Sequence, residues 1–582
     1  MSNGATIPSS QPKSVCTFKI LSEGNEVPAT YHLASIIVNK EINRIPTATV
    51  IYIDGNPQAQ TFELSNAAEF EPGKKIEIKV GWRSDLETVF KGVVIKQGIK
   101  VRNSNSILIV ECKDEAVKMT IAAKSKYFKD VKDSDIMDEL IGKYSLQKDI
   151  EATSITQKEV VQYNSTDWDF MLCRADVNGK ICVATDGNIK IAKPDFSATP
   201  VLTVQYGATV LDLDAEIDAR LQLKGVKAAA WNPADQALLD TVEAAEPSIP
   251  AAGNLSADTL SQVMNDDPFT LVHTGPIAEP ELQQWADSKL LKNRLAKIRG
   301  RVKVDGFAAI KPGDILQLNG VGDRFEGKLL VTGIRQEVEE GDWHTVVQFG
   351  MQPDWFADTY KLEQPKAGAM LPAIEGLQIG IVTKLEGDPD NEDRIQVRVP
   401  VIHKEDEGVW CRIATLDAGN ERGTFFRPEI EDEVVVGFLN NDPRHAVVLG
   451  MCNSSAKPAP LPASDDNHEK GYVSRSKMKV IFNDDKKTIT METPAGNKFI
   501  ITEEDTAIKM EDQNGNKFTM NADGIKLESA KDIILKATGD VKFEGVNAEG
   551  KASASMKMQG SSSAEFSSSG SCTVKGSTVM IN

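Results

Sequence analysis

The chain has 582 residues, 41% of them hydrophobic and 26% charged, with a formal net charge of −19. That length exceeds a single core and predicts about four domains at roughly 150 residues each, and the composition is that of a folded protein. The acidic balance argues against a nucleic-acid-binding groove, which needs basic residues to neutralise phosphate. Seven scattered cysteines, Cys16, Cys112, Cys173, Cys182, Cys411, Cys452 and Cys572, lie mostly in apolar strand patterns and read as free thiols of a protein made in a reducing bacterial cytoplasm. The start, MSNGATIPSSQPKS, shows no charged-then-apolar signal, and no run approaches the length of a membrane span. No signal peptide is expected, so export would need a machine or lysis.

In chain order, residues 1–14 are polar and are expected to form a flexible arm. Alternating runs from Val15 onward, with a Pro-Gly turn leading into Ile76, Ile78 and Val80, predict a first β-barrel over 15–130. Residues 131–300 read as an insert of helices and strands. Asp133–Tyr144 is one amphipathic helix, and a second begins at Asp167 with Trp168, Phe170, Met171 and Leu172. Asp167 and Asp169 have no base or nucleophile beside them in the sequence and are read as carboxylates favoured at a helix N-terminus. Trp231–Gly253 reads as an exposed excursion, and Glu281–Arg299 as a helix begun by Pro280. A second barrel is expected over 301–362, completed with part of 180–230. It repeats the Pro-Gly turn at Pro312–Gly313, which implies an internal duplication.

After a linker at 363–375 come five short Val/Ile/Phe-rich runs, Gly380–Leu385, Arg394–Val401, Val409–Ala414, Glu433–Leu439 and Ala446–Gly450. Ile395, Val397 and Val399 alternate with Arg394, Gln396 and Arg398, as a half-buried strand requires. Five such strands predict an OB-fold barrel over 376–453. A Pro-rich linker at 454–471 follows.

From Tyr472 to Asn582 the pattern is strand-like throughout. GNKF occurs at Gly496–Phe499 and again at Gly515–Phe518, and past Gly524 the period shortens to eight. Ile525, Ile533 and Val541 then share one column, and Leu527, Leu535 and Phe543 another. After a one-residue slip near Glu549 the columns resume as Met556, Ala564, Cys572 and Met580, and as Met558, Phe566 and Val574. Strands this short build no core alone and must stack on neighbours. In one chain they would form a solenoid, and in three an intertwined triangular prism. Composition alone would also allow the Ser-rich stretch Ser553–Ser571 to be a disordered linker.

The stretch 379–452 closely resembles the OB domain of spike proteins of contractile injection machines: VgrG of type VI secretion, the cell-puncturing spike of contractile-tailed phages, and the spikes of phage-tail-like extracellular particles. The likeness is carried by GIVTKL at Gly380–Leu385, DPDNEDRIQVRVP at Asp388–Pro400, Trp410 with Arg412, RGTFFRPEIEDEVVVGF at Arg422–Phe438 and NDPRHAVVLG at Asn441–Gly450. The pattern departs at Glu431, where the family usually has Gly, and at Arg427, where an apolar residue is common. The PG-turn segment with Phe90–Gly92, and Asp167 through ICVATDG, resemble hub segments of the same family. The resemblance implies a mainly β fold with two hub β-barrels, a few helices, an OB-fold neck and a C-terminal intertwined trimeric β-helix, a β-prism over 472–582.

It further implies a homotrimer whose needle core is Ile525, Leu527, Ile533, Leu535, Val541, Phe543, Met556, Met558, Phe566 and Val574. Phe425, Phe426 and Pro428 would stand in the OB neck, and Val579, Met580, Ile581 and Asn582 would bind a PAAR-like tip protein. An inner tube protein at the N-terminal hub, baseplate proteins and effector cargo complete the partners it implies, with no nucleic acid.

Six dispersed histidines show no metal-ligand spacing, and no GxSxG, P-loop or dinucleotide fingerprint occurs. No catalytic residue, cofactor or metal is expected. Only the Pro-rich linker Ser454–Lys470 stands where some phage spikes carry a lysozyme domain, so the expected role is mechanical, in an extracellular particle or in type VI secretion. The alternative from another class is an OB-fold carbohydrate- or nucleic-acid-binding protein with a β-solenoid tail.

Overall fold

A computed structural model describes residues 15–102, 105–264, 266–360 and 362–581. The arm expected over 1–14 and the tip residue Asn582 lie outside the described residues. The chain divides into two compact units, the first comprising residues 1–374 with 440–443 and the second 375–439 with 444–582.

The first unit is built on a 13-stranded sheet. Its N-terminal half contains the strands Cys16–Ser22, Leu33–Glu41, Thr47–Ile53, Lys75–Trp82, Asp85–Val101 and Ser106–Lys113 around a core with Ile36, Ile78, Phe90 and Leu108. Its C-terminal half contains Asp212–Ile217, Ile298–Asp305, Gly327–Glu339 and Asp342–Phe349 around a core with Leu202, Val302, Leu316 and Phe349. The two regions expected as separate barrels therefore keep separate cores but share one sheet. The reason is the 13-residue strand Gly327–Glu339, which pairs with Ile315–Asn319 near one end and with Leu33–Glu41 near the other.

The duplicated turn has a structural counterpart. Gly73 and Gly313 both have φ in the left-handed region, at 103° and 91°, where a side chain is disfavoured and Pro-Gly turns place glycine. Each donates its N–H across the sheet at 2.8 Å, Gly73 to Val94 and Gly313 to Val331. Trp82 and Trp343 stack at 5.5 Å between ring centroids, and the Trp82 indole N–H donates to the Gly306 carbonyl, tying the halves together.

The insert packs two helices, Asp133–Gly142 and Asp167–Val177, around Met137, Leu140 and Met171. A later helix runs Glu279–Leu295, with Pro280 in its first turn. It does not reach Arg299 as expected, because the chain has by then entered the sheet at Ile298. Trp231–Gly253 is not wholly an excursion either: Trp231 and Asn232 pair with Leu238 and Ala237, and Val242 and Glu243 with Ala228 and Lys227. Just before it, Val226–Ala230 pair in parallel with Phe269–His273, and Ala228 and Ala230 are buried with Leu282, Ala286 and Leu290 of that helix.

The strands of the second unit are numbered β1–β12. β1 (Gln378–Lys384), β2 (Ile395–Arg398), β3 (Val409–Ile413), β4 (Glu433–Phe438) and β5 (Ala446–Met451) close into a five-stranded barrel. Its interior holds Val382, Ile395, Val397, Cys411, Val434, Val436, Ala446 and Val448. Glu431 has φ 69° and donates its N–H to the Val382 carbonyl, a left-handed position that accounts for the expectation of Gly there. β6 (Glu469–Val473), β7 (Lys479–Asn483), β8 (Thr488–Glu492), β9 (Lys498–Thr502), β10 (Ala507–Glu511), β11 (Lys517–Asn521) and β12 (Gly524–Glu528) form an antiparallel meander. Among the described residues no strand pairs beyond Glu528.

Candidate functional site: apolar columns of the C-terminal strands

The meander is regular because its turns repeat. At 474–478, 493–497 and 512–516 the first residue donates its N–H to the carbonyl of the last and accepts from the fourth, at 2.8–3.1 Å. The fourth residue is left-handed in each, Lys477 (φ 67°), Gly496 (φ 91°) and Gly515 (φ 88°). The GNKF repeat is thus the two instances in which glycine relieves that position. Asp512 also accepts from the backbone N–H and side-chain amide of Asn516, which hold its carboxyl down at about 2.

Register then sorts the side chains. Tyr472, Val480, Met491, Phe499, Met510, Phe518 and Leu527 stand opposite one another across β6–β12. Beside them on the same face run Phe482, Ile489, Ile501, Ile508, Met520 and Ile525. The other face carries Lys479, Glu492, Lys498, Glu511, Lys517 and Glu528 in alternating charge, with Lys498 3.4 Å from Glu492 and Lys517 3.7 Å from Glu511. One face is therefore apolar and uncovered within the chain, the other a charged water-facing ladder. The columns read from the sequence begin at Ile525 and Leu527, but cross-strand pairing carries both back to β6 and β7. The longer 19-residue spacing of the hairpins hid them.

Past β12 the chain bends at 530–531, 538–539, 545–546, 553–554, 561–562, 569–570 and 577–578. The single seven-residue interval places the slip between 539 and 545, ahead of Glu549. Ile533, Leu535, Val541, Phe543, Met556, Met558, Phe566 and Val574 are all exposed in the single chain, as are Val579, Met580 and Ile581.

Of the expected neck residues, Phe426 packs against Tyr472 with ring centroids 4.8 Å apart and planes tilted by 50°, Phe425 is 86% exposed, and Pro428 is buried. Phe426 thus joins the barrel to the first rung of the apolar column. Two ion pairs reinforce that joint, Arg475 with Glu429 at 2.9 Å and Lys457 with Asp432 at 2.8 Å. Arg427, apolar in the resembled pattern, pairs with Asp393. In the loop before β2, Arg394 grips Asp388 and, with backbone N–H groups, holds its carboxyl well below the usual carboxylate range.

The carboxylates at the start of the Asp167–Val177 helix are engaged structurally. Asp167 is buried and accepts from Lys124 Nζ at 2.6 Å, Tyr144 Oη at 2.7 Å and Gln162 Nε2 at 2.9 Å. Burial alone would raise its pKa, but these donors keep it lowered. Asp169 accepts from Thr166 Oγ1 at 2.6 Å, next to the cap bond from its own N–H. All seven cysteines are unpaired, with Cys452 and Cys572 exposed, and burial pushes the Cys411 thiol up to about 12. Among the described residues no three His, Cys, Asp or Glu side chains gather as a metal site, and no helix is long and apolar enough to cross a membrane.

Two family models match the chain. That for the Alg8 N-terminal domain covers residues 12–340, and that for the type VI secretion system/phage-baseplate injector OB domain covers 378–452. The type VI secretion system spike protein VgrG1b of Pseudomonas aeruginosa is 25% identical over 209 residues, 33% of this chain and 28% of that protein. VgrG4b of the same organism is 36% identical over 113 residues, 18% of this chain and 13% of that protein. The chain thus matches less than a third of the length of either relative. A tail protein from Neisseria meningitidis is similar with a TM-score of 0.44 and 13% identity, over 60% of this chain and 100% of that one. The first of the two models spans more than half of the 582 residues, so the chain belongs to the Alg8 N-terminal-domain family, and its barrel matches the type VI secretion system/phage-baseplate injector OB domain.

Proposed function

We propose that the chain is the central spike and hub of a contractile injection apparatus, in an extracellular phage-tail-like particle or in type VI secretion. The observation that carries this reading is that residues 529–581 keep their apolar columns yet have no paired strand in their own chain. Alternating strands with uncovered apolar faces and open edges are completed by copies of themselves. Three chains would wrap these columns around a common axis as a β-prism needle over 472–582. A prism closed on all edges is stiff and concentrates the force of contraction on a small area of target envelope.

The first unit is the hub that meets the inner tube and baseplate, the OB barrel is the neck, and Val579–Asn582 seat a PAAR-like tip protein. Effector cargo would travel with this assembly. The protein is made in the cytoplasm and leaves it within the particle. The role is mechanical and not enzymatic.

Light scattering tests this reading on the full chain and on a version ending at Asn467. A mass of three times 63.4 kDa that falls to the monomer on truncation is expected. A monomer in both cases overturns the prism and leaves the solenoid alternative.

A further inference from the structure

Two cavities of the first unit differ in how their charge is balanced. The larger, about 850 Å³, is bordered by five cations, and each has a carboxylate of its own: Arg44 with Glu41, Lys292 with Asp176, Arg299 with Glu216, Arg301 with Asp214 and Arg335 with Glu337. It is neutralised from within. The smaller, about 170 Å³, lies between residues 246–252 and the end of the Glu279–Leu295 helix. Ala252 bridges to Gly327, and Gly253 donates its N–H to the Glu326 carbonyl at 2.7 Å. Gly327 permits that approach, since at φ 136° a Cβ there would stand 2.8 Å from Ala252 Cα. The floor is apolar, with Leu295, Ile315 and Leu330 buried and Phe196 and Ile249 packed against them. The margin carries Arg294, Lys297 and Lys328 against one acid, Glu246. Arg294 takes that acid, with contacts of 2.6 Å and 3.0 Å. The Lys297 ammonium has only the Leu255 carbonyl, at 3.1 Å, and burial with Arg294 nearby lowers its pKa. The Lys328 ammonium has no partner among the described residues.

We propose that this smaller cavity binds a small carboxylate carried on an apolar body, a single ring or a short branched chain, with Lys297 and Lys328 holding its charge. Size sets the body. Pockets for drug-sized ligands begin at roughly 300 Å³, whereas an apolar cavity of about 150 Å³ takes a single benzene. Charge sets the head group. A neutral ligand would leave two ammoniums uncompensated beside an apolar floor, a cation would add to them, and an inorganic anion would leave the floor without apolar contact. An apolar carboxylate answers both needs. It accepts charge-assisted hydrogen bonds from Lys297 and Lys328 while its body replaces water on Leu295, Ile315 and Leu330. Charge excess, not volume, distinguishes this cavity from the larger one. All of its lining comes from one chain, so the site stands apart from the trimeric reading above.

The test titrates the full chain into 4-fluorobenzoate and follows the fluorine line width by magnetic resonance. Broadening with a dissociation constant on the order of 1 mM is expected. Binding should weaken roughly tenfold in Lys328→Met and in Lys297→Met, and by a similar factor when neutral 4-fluoroanisole replaces the acid on the unchanged protein. Lys328→Met removes a side chain without a partner, so it keeps the test decisive should Lys297→Met fail to fold. No broadening with the unchanged chain, broadening undiminished in Lys328→Met, or 4-fluoroanisole binding as tightly as the acid overturns the inference.

Discussion

The OB barrel and the strands that follow it show the same alternation of apolar and polar residues, yet their apolar residues have opposite fates in the single chain. Val397 is 0% exposed because five strands close around it, whereas Phe543 is 78% exposed because its segment pairs with nothing in its own chain. Period-two patterning therefore announces that a face must be covered, without saying by what. Closure within a chain or between chains is decided by strand number and connection, not by pattern.

The largest effect on this contrast is expected from Phe543→Asp. In a prism it sets three carboxylates around one apolar layer, each costing several kcal/mol when unpaired and desolvated. The trimer should dissociate at micromolar concentration in sedimentation, while the near-ultraviolet dichroism of the hub and barrel is kept. An unchanged trimer would mean that Phe543 faces water.

Val397→Ala sharpens the contrast from the other side. It opens a cavity in a closed barrel and should lower stability by about 2 kcal/mol, read as a lower urea midpoint with trimer mass preserved. An unmoved midpoint would show that the barrel does not limit stability.

The smallest effect is expected at the 512–516 turn. The Asp512 carboxyl is depressed in the folded state, so its contribution is full above the ordinary carboxylate pKa near 3.9 and is lost as pH falls toward about 2. Asp512→Asn should slightly flatten that part of the melting-temperature profile as the pH falls through the carboxylate range toward about 2. An identical profile would remove the turn from the acid response.

The barrel and the columns are legible because alternation marks each strand and each lies within one continuous stretch of the chain. The eight-residue register of Ile525, Ile533 and Val541 needed only counting. What stayed hidden depended on distant partners. The shared sheet of the hub rests on Leu33–Glu41 finding Gly327–Glu339, a pairing across about half the chain with no local sign. The backward extension of the columns to Tyr472 was masked because hairpins reverse the strand direction, so residues on one face no longer fall at one period. Pro428 is buried while its neighbours Phe425 and Phe426 are exposed, a difference set by the loop's path that no sequence pattern marks.

The meander β6–β12 completes its ladder from a single chain, and the segment after it does not. The two therefore differ in kinetic order. Seven hairpin-linked strands can form in one molecule soon after synthesis, on the fast timescale of local pairing. In the proposed trimer, residues 529–581 must wait for two other chains, and their eight-residue period would let them slip by a whole repeat at little penalty. A preformed meander supplies the missing start point. In that proposed trimer, three copies whose Tyr472-to-Leu527 faces meet first would already be in step when the remaining repeats zip up, so the turn-rich part of the shaft would serve as its registration clamp.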